Sequence, residues 1–115
     1  MILSLCFHSI DESPNKFYDN DFLNMSVENF ESLISNLKKN KLINFIDTNL
    51  SNVEKGKINI LITFDDGLKN FKSNAYPVLK KNDIPTILFI NGFASSNNFS
   101  LNVLSEYIKL NQIKF

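Results

Sequence analysis

Two adjacent carboxylates, Asp65 and Asp66, stand between an apolar run and a glycine in the segment Thr63-Phe64-Asp65-Asp66-Gly67. In parallel α/β structures the C-terminal ends of the strands form the face on which active sites are built. A carboxylate buried there is costly, and two adjacent ones repel unless protons or a cation compensate. A divalent metal removes that repulsion and supplies a Lewis acid with an activated water. One acid would ligate the metal while the other stays free as a general base. The same five residues also suit a plain strand-end turn with two solvated acids, because Asp-Gly is a common turn pair.

Only one histidine and one cysteine accompany these acids, His8 and Cys6. Both fall at the end of the apolar run Met1 to Phe7, two residues apart and so on one face of a strand. His8 reads either as a strand-end residue hydrogen-bonded at the sheet mouth or as part of a site. Cys6 reads as a small buried hydrophobe, with a reactive thiol beside His8 as the alternative. A single cysteine excludes an internal disulfide and a multi-cysteine zinc site.

The elements that must position these groups alternate apolar runs with helical patterns, as in βαβ units of a parallel sheet. Ile2 to Phe7 is a first strand, and Ser9 to Asn24 a long polar surface loop. Ser26 caps a helix in which Val27, Phe30, Leu33, Ile34 and Leu37 recur at helical spacing; Asn40 is expected to take a left-handed exit. Leu42 to Ile46 makes a short strand and Asp47 to Lys57 a connector. Ile58 to Phe64 is apolar enough for a strand buried on both faces, with Thr63 as its main polar break. A turn near Phe71 leads to a helix carrying Pro77 in its first turn. Thr86 to Ile90 is another buried strand, Asn91 to Asn98 a polar loop, and Ser100 the cap of a last helix.

Composition narrows the function. The chain has 115 residues, 43% of them hydrophobic and 11 of them Phe, so a core can form. Its charged fraction of 21% and formal net charge of zero exclude a disordered tail and leave no basic excess for nucleic acid. All 12 basic residues are Lys and Asn is abundant, a skew that follows A/T-rich codons rather than chemistry. No membrane-spanning or secretion segment is visible. As it stands the chain reads as cytoplasmic, or as exported if a leader precedes it. Its oligomeric state cannot be read from these residues.

With its context, the acidic motif resembles the polysaccharide deacetylase family (the NodB-homology domain, carbohydrate esterase family 4). Thr63 to Gly67 matches that family's first signature without a mismatch. Ala75-Tyr76-Pro77-Val78-Leu79-Lys80-Lys81 and Ile84-Pro85-Thr86-Ile87-Leu88-Phe89-Ile90 follow at the distances the family shows. Upstream, Phe7-His8-Ser9-Ile10 and the helix from Ser26 to Lys39 resemble the branch that includes poly-N-acetylglucosamine deacetylases. The resemblance implies an α/β fold, the N-terminal part of a distorted (β/α) barrel with parallel strands. It divides the chain into a core resemblance over 58–115 and an N-terminal extension over 1–57. It also implies a hydrolase that removes N-acetyl groups from an N-acetylated glycan. Asp65 then corresponds to the general base, Asp66 to a ligand of a divalent metal (zinc, with cobalt or nickel as alternatives). His8 would line the sugar site, and Phe89, Asn91 and Gly92 match a strand end that borders the pocket.

One departure weighs against a complete enzyme. The family's second motif, His-Ser/Thr-x-x-His, supplies two further metal ligands, and later motifs supply an Arg and a catalytic His. With one histidine and no arginine, this sequence carries none of them. The 115 residues by themselves are therefore expected to release no acetate from N-acetylglucosamine oligomers above a metal-only blank. The rival readings are an inactive remnant serving as a glycan-binding or scaffold domain, and a magnesium-holding receiver-type domain. The latter is disfavoured because no phosphate-cradling glycine-rich loop is present.

Overall fold

The computed structural model describes residues 1–12 and 23–90. In chain order these form strand β1 (Ile2–Phe7), two-residue strands β2 (Ser9–Ile10) and β3 (Asn24–Met25), helix α1 (Val27–Lys39), and strands β4 (Ile43–Phe45) and β5 (Ile58–Phe64). A π-helical turn (Phe71–Ala75), helix α2 (Tyr76–Lys81) and strand β6 (Thr86–Leu88) follow. The expected strands and helices between residues 2 and 88 are all present. The loop from Asn91 and the helix capped by Ser100 lie outside the described residues.

Strand β5 is the centre of the sheet, as its continuous apolar sequence requires. β1 pairs with it in parallel from Ile2↔Asn59 to Phe7↔Phe64. The other edge of β5 is shared: β4 pairs with Ile58 to Ile60 and β6 with Ile62 to Phe64, both parallel. The pleat separates two faces. Leu5, Phe7, Ile60, Ile62 and Phe64 pack with Phe30 and Ile34 of α1 and with Ala75, Val78 and Leu79 beneath the sheet. The opposite face carries polar groups, and the Ser4 and Thr63 hydroxyls meet there at 3.5 Å.

Helix α1 starts where the sequence places it, with Ser26 Oγ accepting the Asn29 N–H. Its C-terminal end is tied to the end of α2 through Lys38 Nζ, which donates to the Asn82 carbonyl. Asn40 departs from the expected left-handed exit: it is extended, with φ −81° and ψ 111°. The Asn40 N–H donates to the Leu37 carbonyl at 3.2 Å and closes the last turn, while Asn40 Oδ1 accepts the Leu42 N–H at 3.0 Å and steadies the extended exit toward β4.

Two further expectations are corrected. The segment from Ser9 to Asn24 is not a loop at its ends, because Ser9↔Asn24 and Ile10↔Met25 pair in parallel. Ser9 Oγ donates to Asn24 Oδ1 at 2.6 Å and accepts from Asn70 Nδ2 at 2.7 Å, while Asn74 Nδ2 donates to the Ile10 carbonyl at 2.7 Å. These bonds fasten the pair to the π-helical turn and leave Ser9 and Ile10 buried. Cys6 is exposed rather than buried, since it lies on the polar face and not against the helices. The last strand is also shorter than expected, ending at Leu88.

Asn59 is buried near the start of β5, and sequence reading overlooked it. Its amide oxygen accepts from Asn44 Nδ2 and from the Glu54 N–H, each at 2.9 Å, and its nitrogen donates back to the Glu54 carbonyl at 2.9 Å. Asn59→Ala leaves these partly buried groups without the amide, at a cost of about 1–3 kcal/mol. Thermal unfolding of the variant should show a midpoint several degrees lower; an unchanged midpoint would mean water replaces the amide without loss.

Candidate active site

Asp65 is placed by the hydrogen-bond ladders on both sides of β5. Its N–H donates to the Phe7 carbonyl at 2.9 Å, and the Phe64 carbonyl accepts from the Phe89 N–H at 2.8 Å. The peptide joining Phe64 to Asp65 is thus held at both edges. Because Phe7 pairs with Phe64, the next residues of the two strands, His8 and Asp65, come side by side. His8 Nε2 lies 3.9 Å from Asp65 Oδ2, an ion-pair distance and longer than a hydrogen bond. The two side chains keep 22% and 41% of their surface exposed, so both remain open to a reactant.

Beyond Asp65 the backbone turns sharply. Asp66 and Gly67 both have left-handed conformations, φ 69° and 62°. Asp tolerates this region better than most residues, and a non-glycine residue held there marks a site that the surrounding structure enforces. At Gly67 an added Cβ would approach the Ile90 Cγ2 to 3.3 Å. Asp65 and Asp66, with Phe89 and Ile90, line an open cleft of about 460 Å³. Gly67→Ala is therefore expected to cost about 1–2 kcal/mol from the strained φ and to push Ile90 into that cleft. Gly56→Ala is the control, as its φ of 87° carries strain while nothing lies within 4 Å of its added Cβ. Urea unfolding should destabilise both variants, and only Gly67→Ala should alter ligand binding in the cleft.

The sequence candidates fare unequally in this geometry. Asp65, Asp66 and Phe89 share the cleft, and His8 adjoins Asp65. Asn91 and Gly92 lie outside the described residues. Cys6, expected as a buried hydrophobe with a reactive thiol beside His8 as the alternative, joins the site: its Sγ, an imidazole nitrogen of His8 and a carboxylate oxygen of Asp65 all fall within 4.8 Å of one another. Partial desolvation first, and then the nearby carboxylates of Asp65 and Asp66, push the Cys6 thiol above its usual pKa, against an opposing hydrogen bond with Thr63. The even spacing of Cys6 and His8 was the signal for this proximity.

A family model described as polysaccharide deacetylase matches residues 52–109. The chain belongs to the polysaccharide deacetylase family. Among solved structures it resembles the Streptococcus pyogenes deacetylase PplD in complex with acetate, with TM-score 0.68 and 23% identity over 97% of this chain and 52% of that one. It also resembles IcaB from Ammonifex degensii, with TM-score 0.63 and 24% identity over 77% of this chain and 37% of that one. BC0361, a polysaccharide deacetylase from Bacillus cereus, is 32% identical over 70% of this chain and 24% of that one, with TM-score 0.53. No curated protein sequence gives a significant match. The chain spans about half the length of PplD, and its fold is the corresponding part of a (β/α) barrel. No helix among the described residues is long and apolar enough to cross a membrane.

The family's metal fits this chain only in part. Asp66 offers a carboxylate at the cleft, but the one histidine lies 3.9 Å from Asp65 and is not among the described residues that line this cleft. A catalytic site of the zinc type usually needs three protein ligands. Among the described residues, the one cluster of three metal-binding side chains is Cys6, His8 and Asp65, without Asp66.

Proposed function

We propose that the protein to which these residues belong hydrolyses the N-acetyl groups of an N-acetylated glycan, with Asp65 as general base. The observation that supports this reading most is the register-fixed pair of Asp65 and His8 at the C-terminal end of β5, beside an open cleft, in a chain of the polysaccharide deacetylase family. A divalent metal, zinc in the first instance and cobalt or nickel otherwise, would take Asp66 as one ligand and need further ligands beside it. Lewis acidity toward the acetamide carbonyl is what such a metal would supply.

The chain's own residues account for the proton transfers. The Asp65 carboxylate takes a proton from the attacking water as oxygen bonds to the acetamide carbon. The C–N bond then breaks, and the leaving nitrogen takes up a proton to depart as the sugar amine, with acetate as the other product. The proton that Asp65 took balances the one the nitrogen gains, and His8, 3.9 Å from Asp65, borders the sugar. Phe89 and Ile90, both largely exposed, offer apolar surface on which a pyranose ring can rest.

The test uses the product of the native gene that carries these residues, incubated with N-acetylglucosamine oligomers. Acetate and free amine should appear in equal amounts, cease on chelation and return with zinc. Glycan binding that survives chelation, with no acetate formed, would replace this reading with a non-catalytic glycan-binding domain.

A further inference from the structure

We propose that Cys6, His8 and Asp65 form a zinc-binding site of this chain's own, distinct from a metal held at Asp66. The argument starts from the register. Cys6 and His8 are alternate residues on one face of β1 and its continuation. On the paired strand Thr63 lies opposite Cys6, and the next residue on that face is Asp65. Thiol, imidazole and carboxylate are therefore brought together by backbone pairing, and their ligand atoms fall within 4.8 Å of one another.

These three donor types are those that zinc accepts, and a four-coordinate site with bonds of roughly 2.0–2.3 Å holds its donors about 3.3–3.8 Å apart. Binding would require the side chains to close the present separations to that range. Cys6 is exposed and Asp65 is 41% exposed, so neither is locked by packing. A cavity of about 140 Å³ opens beside Cys6 and His8 and gives a route in. Binding releases the thiol proton to solvent, leaves thiolate, neutral imidazole and carboxylate on the ion, and keeps the fourth position for water. The borderline-soft thiolate favours zinc or cobalt over magnesium or calcium.

Zinc bound here occupies Asp65 and His8 together, so excess zinc should inhibit deacetylation. That consequence rests on the proposed function, whereas the binding itself does not. Cobalt titration of the 115-residue chain separates the two. The wild-type chain and Asp66→Asn should each show a thiolate-to-cobalt charge-transfer absorption that saturates at one cobalt per chain. Cys6→Ser should lose the band and bind cobalt at least about tenfold more weakly. Cys6→Val, a strand-favouring replacement at an exposed position, gives the same readout if the Ser variant loses its circular dichroism. The proposal is overturned by the absence of a band in the wild-type chain, by its loss in Asp66→Asn, or by saturation at one cobalt per two chains. In the native gene product, zinc inhibition that persists in Cys6→Ser would overturn the inhibitory role alone.

Discussion

Asp65→Asn in the native gene product should lower kcat for acetate release by about 10²–10⁴-fold, or roughly 3–5 kcal/mol in the barrier. The substitution removes the charge beside His8 but leaves the backbone placement of the residue intact. Asn has the shape of Asp, and the bonds that place this residue are main-chain bonds, from its own N–H to Phe7 and from Phe89 to the preceding Phe64 carbonyl, which do not depend on the side chain. What is lost is a group able to take a proton from water, since an amide is not a base at neutral pH. Asp66→Asn is the informative partner. It should reduce metal content as well as rate, whereas Asp65→Asn should keep its metal at Asp66 and lose rate only. A variant at 65 with full turnover would remove the general-base role, and equal metal loss in both variants would reverse the division of labour between the two acids.

The strands and helices that hold this site are legible in the sequence because their determinants are local. The apolar run from Ile58 to Phe64, the Ser26 cap and Pro77 in the first turn of α2 each act within a few residues. The acidic motif is legible for the same reason, being contiguous and at a strand end. What could not be read depends on contacts far along the chain. Cys6 is an exception: Leu3, Leu5 and Phe7 share one face of β1 while Ser4 and Cys6 share the other, so the period-two pattern already places Cys6 away from the core, and treating Met1 to Phe7 as one apolar run hides it. The strand pair of Ser9 and Asn24 spans 15 residues and is held by Asn70, which lies 61 residues beyond Ser9.

The abundance of Asn illustrates the limit. Composition attributes it to codon bias, yet Asn24, Asn44, Asn59, Asn70 and Asn74 all make side-chain hydrogen bonds to other parts of the chain. Asn carries a donor and an acceptor on a short stem, so it can close a gap between two backbone segments. In this fold Asn24, Asn70 and Asn74 do so around Ser9 and Ile10, next to His8, while Asn44 and Asn59 do so at the opposite end of β5. A compositional bias and a structural role are therefore compatible, and only the long-range partners distinguish a working Asn from a decorative one.

Phe64→Ala is the stability change with the largest expected effect. Phe64 is fully buried and its ring contacts three others: Phe7 stacks at 5.4 Å, Phe30 meets it edge-on at 5.9 Å and Phe71 at 4.8 Å. Through those rings it joins β1, α1 and the π-helical turn, so the cavity left by truncation cannot close by moving one element. Such a change costs about 3–5 kcal/mol, a large share of the roughly 5–15 kcal/mol that keeps a typical domain folded. Phe64→Leu keeps much of the volume and should cost about 1–2 kcal/mol, while its main chain can still accept from Phe89 and hold Asp65 against Phe7. Urea midpoints followed by circular dichroism should rank wild type above Leu and Leu well above Ala. Activity in the native gene product should survive in Leu and fall in Ala with the folded fraction. If Ala lost less than about 1 kcal/mol, the four rings would not be the core that fixes the strand register, and the register-based placement of His8 beside Asp65 would lose its support.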